Sequence, residues 1–228
     1  MTFLDVMNAE RAALLAEYTF QESFSGSNIP PYSAVPDLEI VKRTPSIIRS
    51  RYPVTFTPLS EKRAGQAWVQ SCDGLKYKFL WAHVDNDDYR EDYLAFARSN
   101  YNLGAHDEPQ GLHVDHLFNR ERARGLKLTY IRMVLAPAGV NTSHGAGVEK
   151  SRTNNGIGRE GRERSIDTII LLKLLGVSSP KKGKAFSPEV RAQVARVAAM
   201  LGLPASEIEK DVEDLMQVAG AVLPTKPV

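Results

Sequence analysis

His113-Val114-Asp115-His116, Tyr130-Ile131-Arg132-Met133-Val134-Leu135 and Val140-Asn141-Thr142-Ser143-His144-Gly145 are the three pieces of chain on which the reading turns. All lie between Gly111 and Lys150, where three of the five histidines fall; the other two are His83 and His106. Leu112–Phe118 and Leu128–Leu135 read as strands, and Val140–His144 is helix-prone behind the Pro137 turn, with Gly145 and Gly147 expected to cut it short. Residues two apart in a strand share a face, so His113 and Asp115 point one way and Val114 and His116 the other, unless the strand ends there and turns. If Asn141 begins a helix, His144 three residues later lies on the same face. Two antiparallel strands followed by a helix can therefore converge an Asp, a His, an Asn and a His on one point. Hard oxygen and imidazole ligands together suit Mg2+, Mn2+, Zn2+ or Ni2+. A neighbouring histidine not bound to the cation can take a proton from water, and phosphodiester cleavage asks for these two parts.

The order Val114-Asp115-His116, a strand, Val140-Asn141-Thr142-Ser143-His144-Gly145 and Glu149-Lys150 resembles the HNH, or ββα-metal, endonuclease superfamily, and most of all its toxin-type branches. The resemblance covers about 40 residues and none of residues 1–110. It implies that Asp115 is a metal ligand, that His116 is the general base, and that the helix supplies a second ligand, either Asn141 or His144. It also implies that Arg120, Arg122, Arg124 and Lys127, with Lys150 and Arg152 further on, contact phosphates. The chain departs from the pattern at Arg132, which stands where the second strand normally carries an Asn that orients the base. Asn141 can fill that role, which leaves His144 as the helical ligand. Arg132 alternates with Ile131 and Met133, so it either faces solvent or reaches a phosphate or the transition state as a catalytic group. The paired cysteines that brace many members are absent.

Charge supports the same region. The net charge of +2 divides unevenly: residues 1–110 hold 11 Lys and Arg against 15 Asp and Glu, residues 111–184 hold 14 against 6, and residues 185–228 hold 4 against 6. A basic middle between acidic ends is the footprint of a surface that meets phosphates. With 228 residues, 43% hydrophobic and 25% charged, the chain can bury a sizeable core without staples. A single cysteine, Cys72, rules out an internal disulfide and a multi-cysteine zinc site. The start of the chain shows no basic then apolar signal, and the longest apolar run, Ile169–Leu172 with Leu174 and Leu175, is too short for a membrane span. The expected setting is synthesis in the cytoplasm, with delivery into a target cell by a route that reads no cleavable signal as the open alternative.

Outward from the core segment, residues 4–18 carry a helical apolar period. Ser25–Pro58 is rich in Pro, Ser and Gly and reads as an irregular wrap, with Leu38-Glu39-Ile40-Val41 as a short strand. Gln66–Ser71 and Tyr77–Val84 flank Asp73-Gly74, a hairpin signal, and a helix follows to Asn100 with Asp85 or Asn86 as its N-cap. Asn119–Lys127 is a basic stretch, Thr153–Arg159 a flexible basic loop, and Lys181-Lys182-Gly183-Lys184 a solvated linker. Helices are expected over Ser165–Leu175, Pro188–Leu201 and Ser206–Leu223. The fold class is α+β: a ββα-metal nuclease core in residues 111–228 with its helical tail, and an N-terminal helix and hairpin extension in residues 1–110, together one compact domain.

The function expected is a metal-dependent nuclease, a toxin effector that degrades DNA in preference to RNA and has an immunity protein as partner. Two rivals accompany it: a nucleic-acid-binding protein without chemistry, and a metal-independent RNase using His113, His116 and His144 as acid and base. Chelation separates the first rival, and trials on RNA and DNA with and without metal separate the second.

Overall fold

The computed structural model describes residues 1–22, 31–43, 54–72, 77–154, 158–179 and 186–218. The expected turn at Asp73-Gly74, the linker at Lys181–Lys184 and the centre of the Thr153–Arg159 loop lie outside the described residues. The chain is mixed α+β, and it divides into two compact units. The first holds Met1–Leu135 and Arg159–Ser165, the second Ala136–Gly158 and Ile166–Val228.

The first unit is built on a sheet. Its strands are β1 (Tyr32–Val35), β2 (Val54–Pro58), β3 (Ala67–Cys72), β4 (Tyr77–His83), β5 (Leu112–His116), β6 (Tyr130–Pro137) and β7 (Arg164–Ser165), in the order β2-β3-β4-β6-β1-β7 with β5 also on β6. The β3–β4 hairpin expected from the sequence is present, in register from Ala67 opposite Ala82 to Cys72 opposite Tyr77. β6 lies between β4 and β1, with Arg132 opposite Trp81 and Ile131 opposite Ala34. The boundary expected at residue 110 therefore runs through one sheet, and the units part after Leu135 instead.

Both faces of the centre of the sheet are covered, which is why β4 and β6 carry apolar side chains at most positions. On one face Ala67, Val69, Leu80, Ala82, Val114, Met133 and Leu135 pack beneath α1 (Phe3–Glu22), through Phe3, Val6 and Met7, and beneath α3 (Tyr89–Tyr101), through Tyr93, Phe96 and Ala97. On the other, Trp81 meets Tyr32, Val35, and Leu38 and Val41 of α2 (Leu38–Arg43). Leu38–Val41 is thus a helix and not the strand its branched residues suggested. Asp37 accepts the Glu39 amide at 2.9 Å to start it, and the three-residue spacing of Leu38 and Val41 sets both against Trp81. The wrap around it also contains β1 and β2, which Pro and Ser content had concealed.

Asp88 begins α3, three residues after the expected Asp85. Asn86 is spent elsewhere: its amide donates to Gln66 O and to Asp92, and its Oδ1 accepts from Arg63 at 2.7 Å.

In the second unit, α5 (Ala138–His144) passes through a π-helical turn, Gly145–Glu149, into α6 (Lys150–Asn154). Gly145 does not end the helix, because its φ of −61° is helical. α7 (Thr168–Leu174) is capped by Asp167, α8 (Pro188–Leu201) by Ser187, and α9 (Ala205–Val218) follows a turn in which Gly202 has φ +69°. Ile169, Leu172, Val194, Val197, Ile208, Val212 and Met216 form the core of these three helices. Each such side chain contributes roughly 1.5–3 kcal/mol by leaving water. Among the described residues no helix is long and apolar enough to cross a membrane.

Candidate functional site

Burial along β5 alternates as the strand period requires. His113 is exposed, Val114 buried, Asp115 half-buried and His116 buried at 6% exposure. His116 shares the core face with Val114, and Asp115 is on the opposite face with His113. The strand stops at His116, and the Leu117 amide donates to Arg132 O at 2.9 Å. The His116 ring lies against Tyr89, the first residue of α3, with centroids 4.3 Å apart and planes at 52°. Arg90 in turn sits over the Tyr89 ring at 5.5 Å.

Arg132, expected to face solvent or a phosphate, does neither. It is 0% exposed, with its guanidinium 4.6 Å from the Phe79 ring and 5.0 Å from that of Trp81. Its NH2 donates to Gln70 Oε1 at 3.4 Å, and that oxygen also accepts from Trp81 Nε1 at 2.7 Å. The alternation that seemed to turn it outward places it on the second covered face of a two-sided sheet. A group so enclosed has no path to a phosphate, and Arg132 is withdrawn as a catalytic residue.

The basic stretch after β5 is a short helix, α4 (Arg120–Gly125), capped by Asn119, whose side chain accepts the Arg122 amide at 2.9 Å. Its arginines meet the turn before α3. Arg120 donates to Val84 O at 2.9 Å and to Asp87, and Arg124 to Asp85 at 2.9 Å and Glu121 at 2.6 Å. Arg122 lies over the Phe118 ring at 4.8 Å, and Lys127 pairs with Glu160. The Arg120 guanidinium holds the Asp87 carboxyl below the usual range, and Asp85 raises Arg124. His83 accepts the Asp85 amide on Nδ1 at 3.1 Å and meets Tyr130 edge-on at 5.6 Å, a packed residue as its place in an aromatic strand suggested. His106 is exposed.

In the second unit His144 is 1% exposed, and its Nε2 lies 2.8 Å from Val177 O. A carbonyl only accepts, so Nε2 carries the hydrogen, and in the neutral ring Nδ1 carries the lone pair. Ser179 N donates to Ser143 Oγ at 3.0 Å, so two contacts lay the 177–179 stretch along α5. Asn141, half-buried, shares the helix face of His144. Lys150 is exposed. Arg152 is not available for nucleic acid, because it is buried in a pair with Asp167.

Asp115 and His116 thus stand in the first unit, Asn141 and His144 in the second. Among the described residues no three His, Cys, Asp or Glu side chains group as a metal-holding set. Asp115 offers a half-buried carboxylate, and His144 an imidazole whose Nε2 is tied to a carbonyl, as the non-ligating nitrogen of a metal-bound histidine commonly is. No family model matches the chain, and no curated protein or solved structure matches it.

Three groups escaped the sequence reading. Glu10 lies buried in the apolar stripe of α1, and its Oε2 accepts from Tyr93 at 2.7 Å. Lys173, inside the apolar run of α7, donates to Glu149 at 2.9 Å. A charge at an apolar-period position was the available signal for both. Tyr89 had none, since its contact with His116 spans 27 positions of chain.

Proposed function

We propose that the protein is a metal-dependent endonuclease acting on DNA, of the toxin-effector kind, with a neutralising immunity protein as its natural partner. One observation carries the reading. A strand ending in Asp115-His116 is bonded to the next strand, β6, and α5 with Asn141 and His144 follows directly. The tautomer imposed on His144 by Val177 adds to it.

In this reading Asp115 would be a ligand of a divalent ion (Mg2+, Mn2+, Zn2+ or Ni2+). The ion supplies Lewis-acid stabilisation of charge on the phosphate. His116 takes the proton of the attacking water as the new P–O bond forms and the ester P–O bond breaks. Arg120, Arg122, Arg124, Lys127 and Lys150 hold the backbone through phosphates, without reading sequence.

His116→Ala is expected to lower plasmid degradation by a factor of about 100 or more, the usual worth of a general base. Far-UV circular dichroism and the melting temperature check that the variant folds. Undiminished cutting by the folded variant ends the mechanism. EDTA is expected to stop wild-type cutting; cutting that persists in EDTA removes the metal, and DNA binding without any cutting leaves only an electrostatic binder.

A further inference from the structure

β2 ends the sheet, and among the described residues no strand lies on its outer side. Its register on β3 fixes which backbone groups face out. Leu59 N donates to Ala67 O at 3.0 Å, and His83 N to Gln66 O at 2.7 Å. Thr55 and Thr57 therefore bond to β3, and Val54, Phe56 and Pro58 turn their backbone groups away from it. A proline fits there because the ladder does not need its missing N–H. The other end of the sheet is blunted, since β7 has only two residues and one of them is Arg164. β2 has five residues and no charged side chain. Such an edge offers its unpaired N–H and C=O groups to another strand.

We propose that β2 pairs with β2 of a second copy of the chain, antiparallel about a two-fold axis at Phe56, so that one sheet runs through both molecules. Symmetry, hydrogen bonding and charge select a copy of itself as the occupant. Thr55-Phe56-Thr57 reads the same in both directions, so the pairing sets Phe56 opposite Phe56 and each Thr55 opposite a Thr57. This register is the one that pairs all five residues of the strand. Its outward groups match: the two Phe56 residues exchange hydrogen bonds, and each Val54 N–H meets the carbonyl of a Pro58, which can accept though not donate. The threonines fall at non-hydrogen-bonded positions, where side chains approach most closely, and threonine pairs there are favourable. The half-buried Phe56 rings, each edge-on to its own Trp81 at 6.3 Å, become neighbours on the same face. Charge does not oppose the contact, because Lys42, over the Phe56 ring at 5.9 Å, is paired with Glu39. Like charges facing each other across the seam would have.

Sedimentation of the full chain over a range of concentrations tests this, and a dimer that forms with rising concentration is expected. Val54→Pro removes one outward N–H from each strand and leaves the bonds to β3 in place. It is expected to weaken the dimer by about 30-fold, the usual worth of two hydrogen bonds. Thr55→Lys with Thr57→Lys, at two exposed positions, is expected to leave a monomer, and circular dichroism with the melting temperature shows that each variant folds. Cross-linking reads the register. With Cys72→Ser as background, a mixture of Thr55→Cys and Thr57→Cys chains is expected to form a disulfide-linked pair on oxidation, and neither chain alone. Thr55→Cys linking to itself would place the axis elsewhere and overturn the pairing. So would a wild-type chain that stays monomeric up to about 1 mM, the weak end of specific association. A dimer untouched by both folded variants uses another surface, and a foreign strand peptide that binds a monomeric chain assigns the edge to another partner; either result ends the proposal.

Discussion

Glu10 occupies a position that its helix otherwise gives to apolar side chains. Phe3, Val6, Met7, Ala13 and Leu14 of α1 are buried, and Glu10 is buried among them. Burial pushes its carboxyl up to about 8, against the hydrogen bond from Tyr93, a backbone amide at Leu135 and the positive charge of Arg132, all of which favour the ionised form. The folded protein therefore keeps the proton over a range in which the unfolded chain has lost it. Stability is full below about 4.5 and falls until pH passes about 8, at roughly 1.4 kcal/mol per pH unit between these limits. Glu10→Gln retains an acceptor for Tyr93 and cannot ionise. Urea unfolding is expected to show the variant equal to wild type near the acid end and several kcal/mol more stable above pH 8. Parallel pH profiles for the two proteins would mean that Glu10 ionises normally in the fold. Lys173 obeys the opposite logic. It is 2% exposed and bonded to Glu149, so Glu149→Gln is expected to cost about 3–5 kcal/mol by removing the carboxylate from a buried ammonium. Replacing both residues together, by Leu and Met, should cost much less in the same assay.

At the scale of elements, local signals with a physical cause did their work where nothing distant competed. Ser187-Pro188 starts α8, the Ser187 hydroxyl accepting the Val190 amide at 3.3 Å, and Ser187→Ala should cost about 1 kcal/mol in thermal unfolding. The β3–β4 hairpin and the strands β5 and β6 were equally legible from their periods. Leu38–Val41 was not, because a four-residue apolar run fits either period and packing against Trp81 chose the helix. The faces of β6 were misjudged at Arg132 because alternation says which residues share a side, and cannot say that both sides are covered. The candidate site divides in the same way. His116 and Asp115 could be picked out by residue type and order, and so could Asn141 and His144. The partners that define their state could not: Val177 for His144 and Tyr89 for His116 are remote in sequence, and the carboxylates on α4 come from 33 and 39 residues away.

Over the whole molecule, the same remoteness changes what the charge distribution means. The 14 Lys and Arg against 6 Asp and Glu in residues 111–184 look like an open basic surface when read along the chain. In the fold, Arg120 and Arg124 meet acids from the first hundred residues, Lys127 meets Glu160, and Arg152 and Lys173 are buried against Asp167 and Glu149. Only side chains whose partners lie in solvent can trade a carboxylate for a phosphate, so the number of phosphates bound must be smaller than the surplus suggests. Salt dependence counts them, since each phosphate neutralised contributes about 0.9 to the slope of log affinity against log salt on duplex DNA. Arg120→Gln with Arg124→Gln is expected to reduce that slope by roughly two. Arg152→Gln should leave the slope unchanged, because its guanidinium is 7% exposed and committed to Asp167. A fall in slope for the Arg152 variant as large as that for the α4 pair would place Arg152 at the DNA, and the buried pair with Asp167 would then have to open on binding.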